Sequence, residues 1–283
     1  MLKHRNPMGL SLLCALMFGP WACAGNDSGE PEYVTDAGPM GEAMSPDAVA
    51  EVVCDDVTHR ALLPGPFDCE GPPETVIIDG PRRRIEVFKY EASHPLATED
   101  RAFPCAASSG LNYEAPDVPT KACSKAGVRP WHSVRWDDAD AACTGLGEEW
   151  RLCNGEELLR ACGGPQGYAY SWGNTFDASA CNIRDVFRAE GMEFASEAPS
   201  GAFEDCHTSE GTFDASGNLW EWTADRDGMD PRARTYQGAG WQTIAQRHTD
   251  QHQTCQTTTQ LPGFSAANYA NGFVGFRCCR DSM

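Results

Sequence analysis

The sequence predicts a disulfide-braced α+β domain with little regular secondary structure, on three observations. Of 14 cysteines, twelve remain once Cys14 and Cys23 are set aside with the N-terminal segment; apart from the adjacent Cys278 and Cys279 they are scattered at wide spacing, and no CxxC pair occurs. That spacing suits bridges between distant segments better than a zinc cage. Apolar and polar residues alternate over Ile85 to Glu91 as in a strand, and two short stretches, Asp137 to Cys143 and Gly155 to Cys162, carry helix signals. From Gly167 onward Gly, Asn, Asp, Trp and Tyr dominate, so the later chain reads as loops pinned by aromatic residues and bridges.

Along the chain, Lys3, His4 and Arg5 precede the apolar stretch Met8 to Ala22, which is too short for a comfortable membrane span and reads as a signal peptide over 1–22. A small residue before Cys23 is similar to a bacterial lipoprotein box, although Pro20 and Trp21 are poor matches to it. Lipidation of Cys23 is the sharper reading and ordinary secretion the simpler one; either places the protein outside the cytoplasm, secreted or in a cell envelope. Residues 23–53 are rich in Gly, Pro, Ala, Ser, Asp and Glu, with few large apolar side chains to offset the entropy of ordering, and read as a tether. One domain over 54–283 follows, with no internal repeat. A net charge of −19 supplies no basic face for a phosphate backbone, which excludes nucleic acid as partner.

Within the domain, the strand reading puts Ile85, Val87 and Lys89 on one side and Glu86, Phe88 and Tyr90 on the other. Asp137 or Asp138 is placed to cap the first helix, and Asn154 the second, which ends at Gly163 and Gly164. Arg82, Arg83 and Arg84 form a small basic cluster that could hold a sulfate or carboxylate but reads more simply as a solvated turn. His94, His132 and His207 have no evident partners in sequence. Ser216 does not sit in a GxSxG elbow, and residue order alone supports no hydrolase.

The strings IEVFKYEAS, PWHSVRWDDADAAC, RLCNGEELLRACGG, YSWGN, DASGNLWEWTAD, YQGAGW and GFRCCR occur in this order. The order resembles that of the formylglycine-generating enzymes, or sulfatase-modifying factors, over roughly Pro81 to Arg280. The fold implied by this resemblance is a compact α+β domain related to C-type lectins. The resemblance also implies bridges from Cys143 to Cys278 and from Cys162 to Cys255. The remaining pairs are assigned as Cys105 with Cys123, Cys181 with Cys206, Cys54 with Cys69, and Cys153 with Cys279.

The same resemblance implies a calcium ion at DASGNLWEW, held by the carboxylates of Asp214 and Glu221 and the carbonyls of Gly217 and Leu219. Calcium favours six to eight oxygen ligands, and a glycine turn lets carbonyls converge. In the alternative reading, the two carboxylates cap a turn while Trp220 and Trp222 fill the core. A second, weaker calcium would use Asn182 and the carbonyl of Ile183.

Active members of the family carry two cysteines five residues apart after the GGSW-like turn, a soft donor pair suited to Cu(I). Here Gly240 to Cys255 holds only Cys255. His248 and His252, four apart with Asp250 between them, could bind zinc, copper or iron, but a Gln-, Thr- and His-rich stretch reads more simply as solvated surface. Two function classes remain. One is a surface module binding a protein, peptide or glycan through the Trp241 to Gly275 region, with membrane contact only through the lipid. The other is a copper- or iron-dependent oxidoreductase built around His248 and His252.

Overall fold

The computed structural model describes residues 67–103, 120–183, 196–226, 229–241, 253–263 and 269–282. All of them belong to one compact unit. Among them the chain runs β1 (Thr75–Asp79), β2 (Arg84–Phe88), β3 (Ala92–Ser93), β4 (Cys123–Ser124), α1 (Trp136–Thr144), β5 (Arg151–Leu152), α2 (Gly155–Gly163), β6 (Trp220–Trp222), β7 (Arg234–Gln237), β8 (Thr258–Leu261), β9 (Val274–Phe276) and β10 (Cys278–Asp281). The strands form one sheet ordered β1-β2-β10-β5, a two-stranded β3-β4 ladder, and a second larger sheet ordered β8-β7-β6-β9.

Strand β2 keeps the two sides of its alternating pattern. Ile85 and Val87 are buried on one side, and so is Phe88 on the other. The strand lies between β1 and β10 in the middle of its sheet, and each face of the sheet carries its own apolar cluster. Phe88 packs into the large aromatic core with Trp131, Trp136, Trp150, Trp222 and Phe276, while Ile85 and Val87 join Ile78, Leu158 and Ala161 behind the sheet. The strand also stops at Phe88, because the carbonyls of Phe88 and Lys89 turn to accept hydrogen bonds from the Arg277 guanidinium at 2.8 and 3.0 Å.

Helix α1 starts without an aspartate cap. Its N-cap is Arg135, in extended conformation with no side-chain cap bond. Asp137 and Asp138 lie instead inside the first turn, where they complement the helix dipole, and Asp138 accepts a 2.7 Å bond from Arg135 Nε. Helix α2 begins at a full capping box. Asn154 Oδ1 accepts from the Glu157 amide and Glu157 Oε2 accepts from the Asn154 amide, each at 2.9 Å. Arg151 grips the same Glu157 carboxylate with two bonds of 2.7 Å, tying β5 to α2.

Beyond Gly167 the chain is more regular than its composition suggests. The WEW string forms β6, paired antiparallel with β7 and parallel with β9, so the Trp241 to Gly275 region contains β8 and part of β9 as well as loops. Long-range pairing of three- and four-residue strands leaves little local signal. The indoles of Trp136 and Trp222 donate to the carbonyls of Thr223 and Val134 at 2.7 and 3.0 Å, so these large side chains are buried with their polar atoms satisfied.

Five bridges brace the described residues. Cys143 joins Cys278, Cys153 joins Cys279, Cys162 joins Cys255 and Cys181 joins Cys206, with Cα–Cα separations of 5.5, 4.8, 5.5 and 4.8 Å. The fifth corrects the sequence assignment: Cys69 pairs with Cys123, not with Cys54, and Cys123 therefore does not pair with Cys105. The entry segment runs alongside residues 120–123, with a bridge between Phe67 and Thr120 and a bond from the Lys121 amide to the Phe67 carbonyl, which carries Cys69 to Cys123. Cys54, Cys105 and Cys23 lie outside the described residues.

Candidate functional site

The turn entering β6 is built around two strained residues. Asp214 and Asn218 both adopt left-handed backbone, at φ 63° and 59°. For non-glycine residues that conformation persists only where the surroundings hold it. Here the holding is explicit. Asp214 Oδ2 accepts from the Gly201 amide at 2.7 Å. Asn218 donates to Glu91 Oε2 at 2.6 Å and to the Ala198 carbonyl at 3.1 Å, and its Oδ1 accepts from Asn182 Nδ2 and the Ala198 amide at 2.8 and 2.7 Å. Between them Gly217 allows close approach, since a Cβ there would sit 2.9 Å from Cys181 Cβ and 3.1 Å from the Asn182 carbonyl.

Beside the turn lies a buried charge cluster. Arg277, fully buried between β9 and β10, donates from Nε and Nη2 to Glu221 Oε1 at 3.0 and 2.8 Å, and from Nη2 to the Phe213 carbonyl at 2.8 Å. Glu91 is also fully buried and accepts from the Leu219 amide at 2.8 Å through Oε1. Three buried carboxylates, Glu91, Asp214 and Glu221, therefore share one guanidinium. Burial, reinforced by the charges of Asp214 and Glu221, holds the Glu91 carboxyl well above the usual range. Burial likewise raises Asp214 to about 7, against the pull of the Gly201 amide and Arg277.

The cluster brings together the expected calcium residues Asp214, Gly217, Leu219 and Glu221 with two that residue patterns did not single out. Glu91 closes the strand signal in KYE, and Arg277 stands in GFRC, but neither string says that the two side chains meet. The donor chemistry fits a hard cation: an excess of buried carboxylate over guanidinium, beside a turn opened by glycine. Glu221 already shares one oxygen with Arg277, so Asp214 is the less compensated of the two expected carboxylates. At the weaker second site, Asn182 Oδ1 is buried without a hydrogen-bond partner, next to Ile183. Among the described residues, no three His, Cys, Asp or Glu side chains group closely enough to hold a metal by themselves, so either site would depend on carbonyl oxygens.

The histidines have partners that the sequence left open. His94 is buried between the rings of Phe67 and Trp131, at 5.5 and 4.9 Å, and its Nδ1 accepts from the Leu96 amide. Burial pushes its pKa down to about 3. His132 meets Ser133 and Glu197, and His207 bonds the Glu204 carbonyl. Arg82, Arg83 and Arg84 have strongly exposed side chains, and the first two border an open cleft of about 360 Å³ with Arg151, Glu156 and Asp225.

His248, Asp250 and His252 lie outside the described residues. Their flanks are placed: Trp241 donates from its amide to the Asn218 carbonyl and from Nε1 to the Gly272 carbonyl, and Cys255 is closed onto Cys162. The sole thiol of the Gly240 to Cys255 stretch is thus consumed by a bridge, and these residues do not fit the paired-thiolate copper site.

Short-stranded sheets, two capped helices and bridges that lock β10 and the Cys255 segment onto those helices define a class of α+β domains in which loops are carried on a cross-linked frame. A family model described as sulfatase-modifying factor enzyme 1-like domain matches residues 67–282, and the chain belongs to that family. It is 32% identical over 151 residues to the inactive C-alpha-formylglycine-generating enzyme 2 of Bos taurus, covering 51% of this chain and 48% of that relative. It is 25% identical over 195 residues to the formylglycine-generating enzyme of Mus musculus, covering 62% and 50%. The chain thus spans about half the length of these curated relatives. Among solved structures it is similar to PvdO from Pseudomonas aeruginosa, with TM-score 0.49 and 12% identity, over 75% of this chain and 92% of that one.

Proposed function

We propose that this domain is an extracytoplasmic binding module, calcium-braced and anchored through Cys23, that has given up the oxidase chemistry of its family. One observation carries the reading: Cys255, the single thiol between Gly240 and Cys255, is bonded to Cys162, so no sulfur pair can form there to hold copper. The likeness to relatives named inactive supports it. Five bridges among the described residues favour an oxidising compartment. Calcium would be held by Asp214, Glu221 and the carbonyls of Gly217 and Leu219, supplying positive charge where buried carboxylates exceed guanidinium. The partner is a protein, peptide or glycan met at the cell surface by the region around Trp241, β8 and β9, where polar and aromatic loops sit on a braced scaffold.

The test is direct. Purified protein is incubated with Cu(I) or Fe(II), oxygen and a cysteine-containing peptide, and the peptide mass is followed. No conversion to aldehyde is expected; turnover would overturn the reading and revive the metal-dependent alternative at His248 and His252. Chelation should lower the melting temperature, and added calcium restore it; an unchanged melt removes the ion. Cys23→Ser should move the protein from the membrane to the soluble fraction.

A further inference from the structure

The space between the β1–β2 turn and the start of α2 is lined by charges of both signs. Arg82 and Arg83 come from the turn, Arg151 from β5, Glu156 and Glu157 from the first turn of α2, and Asp225 from the chain just past β6. They border the open cleft of about 360 Å³. Half of them are already matched inside the protein. Arg151 grips Glu157 through two 2.7 Å bonds, and Arg83 reaches Asp281 at 2.7 Å.

The other three are not. Arg82 and Glu156 stand 3.7 Å apart with side chains 85% and 65% exposed, and water competes well for so open a pair. Asp225 Oδ2 accepts the Gly155 amide at 3.0 Å but makes no ion pair among the described residues. Its position is fixed by that amide and by Thr223, whose Oγ1 accepts from the Asp225 amide at 3.2 Å. Gly155 is what lets the carboxylate come so close, since a Cβ there would sit 2.6 Å from Asp225 Oδ2. A simple anion in this cleft would meet Glu156 and Asp225, and a simple cation would meet Arg82. A molecule carrying both charges satisfies all three groups.

We infer that this cleft binds a small zwitterion of amino-acid or dipeptide size, with its ammonium between Asp225 and Glu156 and its carboxylate on Arg82. The guanidinium offers a carboxylate two parallel N–H donors, and the two acidic side chains offer an ammonium acceptor oxygens from two elements. A volume of about 360 Å³ lies near the small end of ligand clefts, which span about 300–1,000 Å³. Entry disturbs only the open Arg82 to Glu156 pair, because the Arg151 and Arg83 pairs stay in place. None of these residues belongs to the expected calcium sites or to the Trp241 to Gly275 region, so the inference stands apart from the proposed partner surface.

The experiment titrates the full chain with alanyl-alanine, with its N-acetyl form, which keeps only the carboxylate, and with its C-terminal amide, which keeps only the ammonium. Calorimetry reads affinity, and the Gly155 amide resonance reads location. The dipeptide is expected to bind with a dissociation constant of about 1 mM or below and to shift that resonance, and each singly charged form to bind at least about 5-fold more weakly. Arg82→Ala should weaken the dipeptide about 5-fold without weakening the amide. Asp225→Asn, which keeps an acceptor for the Gly155 amide, should weaken the dipeptide by as much without weakening the acetyl form. Melting curves on each variant verify folding. No saturable binding up to about 10 mM, a singly charged form that binds as tightly as the dipeptide, or a dipeptide affinity untouched by both substitutions would each overturn the inference.

Discussion

His94 makes the stability of this domain depend on pH in a direction the structure dictates. Its ring is enclosed by Phe67 and Trp131, its Nδ1 is occupied by the Leu96 amide, and its Nε2 is buried with no acceptor. A protonated imidazole has no anion to meet there, so the folded state keeps it neutral down to about pH 3, whereas the unfolded chain protonates it at the ordinary 6.5. The folded pKa is depressed. The stability associated with the neutral ring is therefore complete above 6.5 and is lost progressively as pH falls toward 3. At about pH 5 the unfolded imidazole is protonated and the folded one is not, a linkage of about 2 kcal/mol. That is a sizeable part of the roughly 5–15 kcal/mol that holds a domain together. Urea unfolding at about pH 7.5 and about pH 5, in the wild type and in His94→Phe, isolates the effect, because every other titrating group contributes to both proteins. The wild type should lose about 2 kcal/mol more than the variant on acidification. Equal losses would refute the assignment of a neutral, unpartnered ring.

Other consequences follow from the same geometry. Arg277→Met should cost at least about 3–5 kcal/mol, since it strands Glu221 and leaves the carbonyls of Phe88, Lys89 and Phe213 without their donor; denaturant melts read the loss directly. Asn154→Ala should cost about 1 kcal/mol by opening the capping box of α2, seen as a lower urea midpoint at unchanged slope. Gly217→Ala forces a Cβ to 2.9 Å from Cys181, whose bridge to Cys206 cannot yield easily, and should cost about 1–3 kcal/mol by thermal melting.

Local signals and long-range ones divide the chain. Helix α2 was readable because its cap, its acidic first turn and its closing glycines lie within ten residues of one another and act on their own backbone. The strand at Ile85 was readable for its alternation, yet its central place between β1 and β10 depends on a partner nearly two hundred residues away in sequence, and its two buried faces on clusters drawn from the whole chain. The parallel pairing of β6 with β9 has no local correlate, and a stretch of tryptophan and glycine between turns reads as loop until Val274 to Phe276 is laid beside it. Bridge partners divide in the same way. A resemblance to known chains can carry Cys143 to Cys278 because those positions belong to a common frame. Cys69 follows the path of this chain's own entry segment, and spacing alone could not send it to Cys123.

The charge cluster shows what such a division means for function. Asp214 and Glu221 stand out in one string, but a pair of carboxylates in a turn is chemically ambiguous. Its electrical state is set by Glu91 from one end of the domain and Arg277 from the other. The strained backbone at Asp214 and Asn218 is held by bonds to Gly201, Ala198, Asn182 and Glu91, so the turn keeps its shape only while the distant segments are docked. This separates the frame from the chemistry above it. The Cys162–Cys255 bridge and the bonds from Trp241 to the Asn218 and Gly272 carbonyls hold the two flanks of the Trp241 to Cys255 segment.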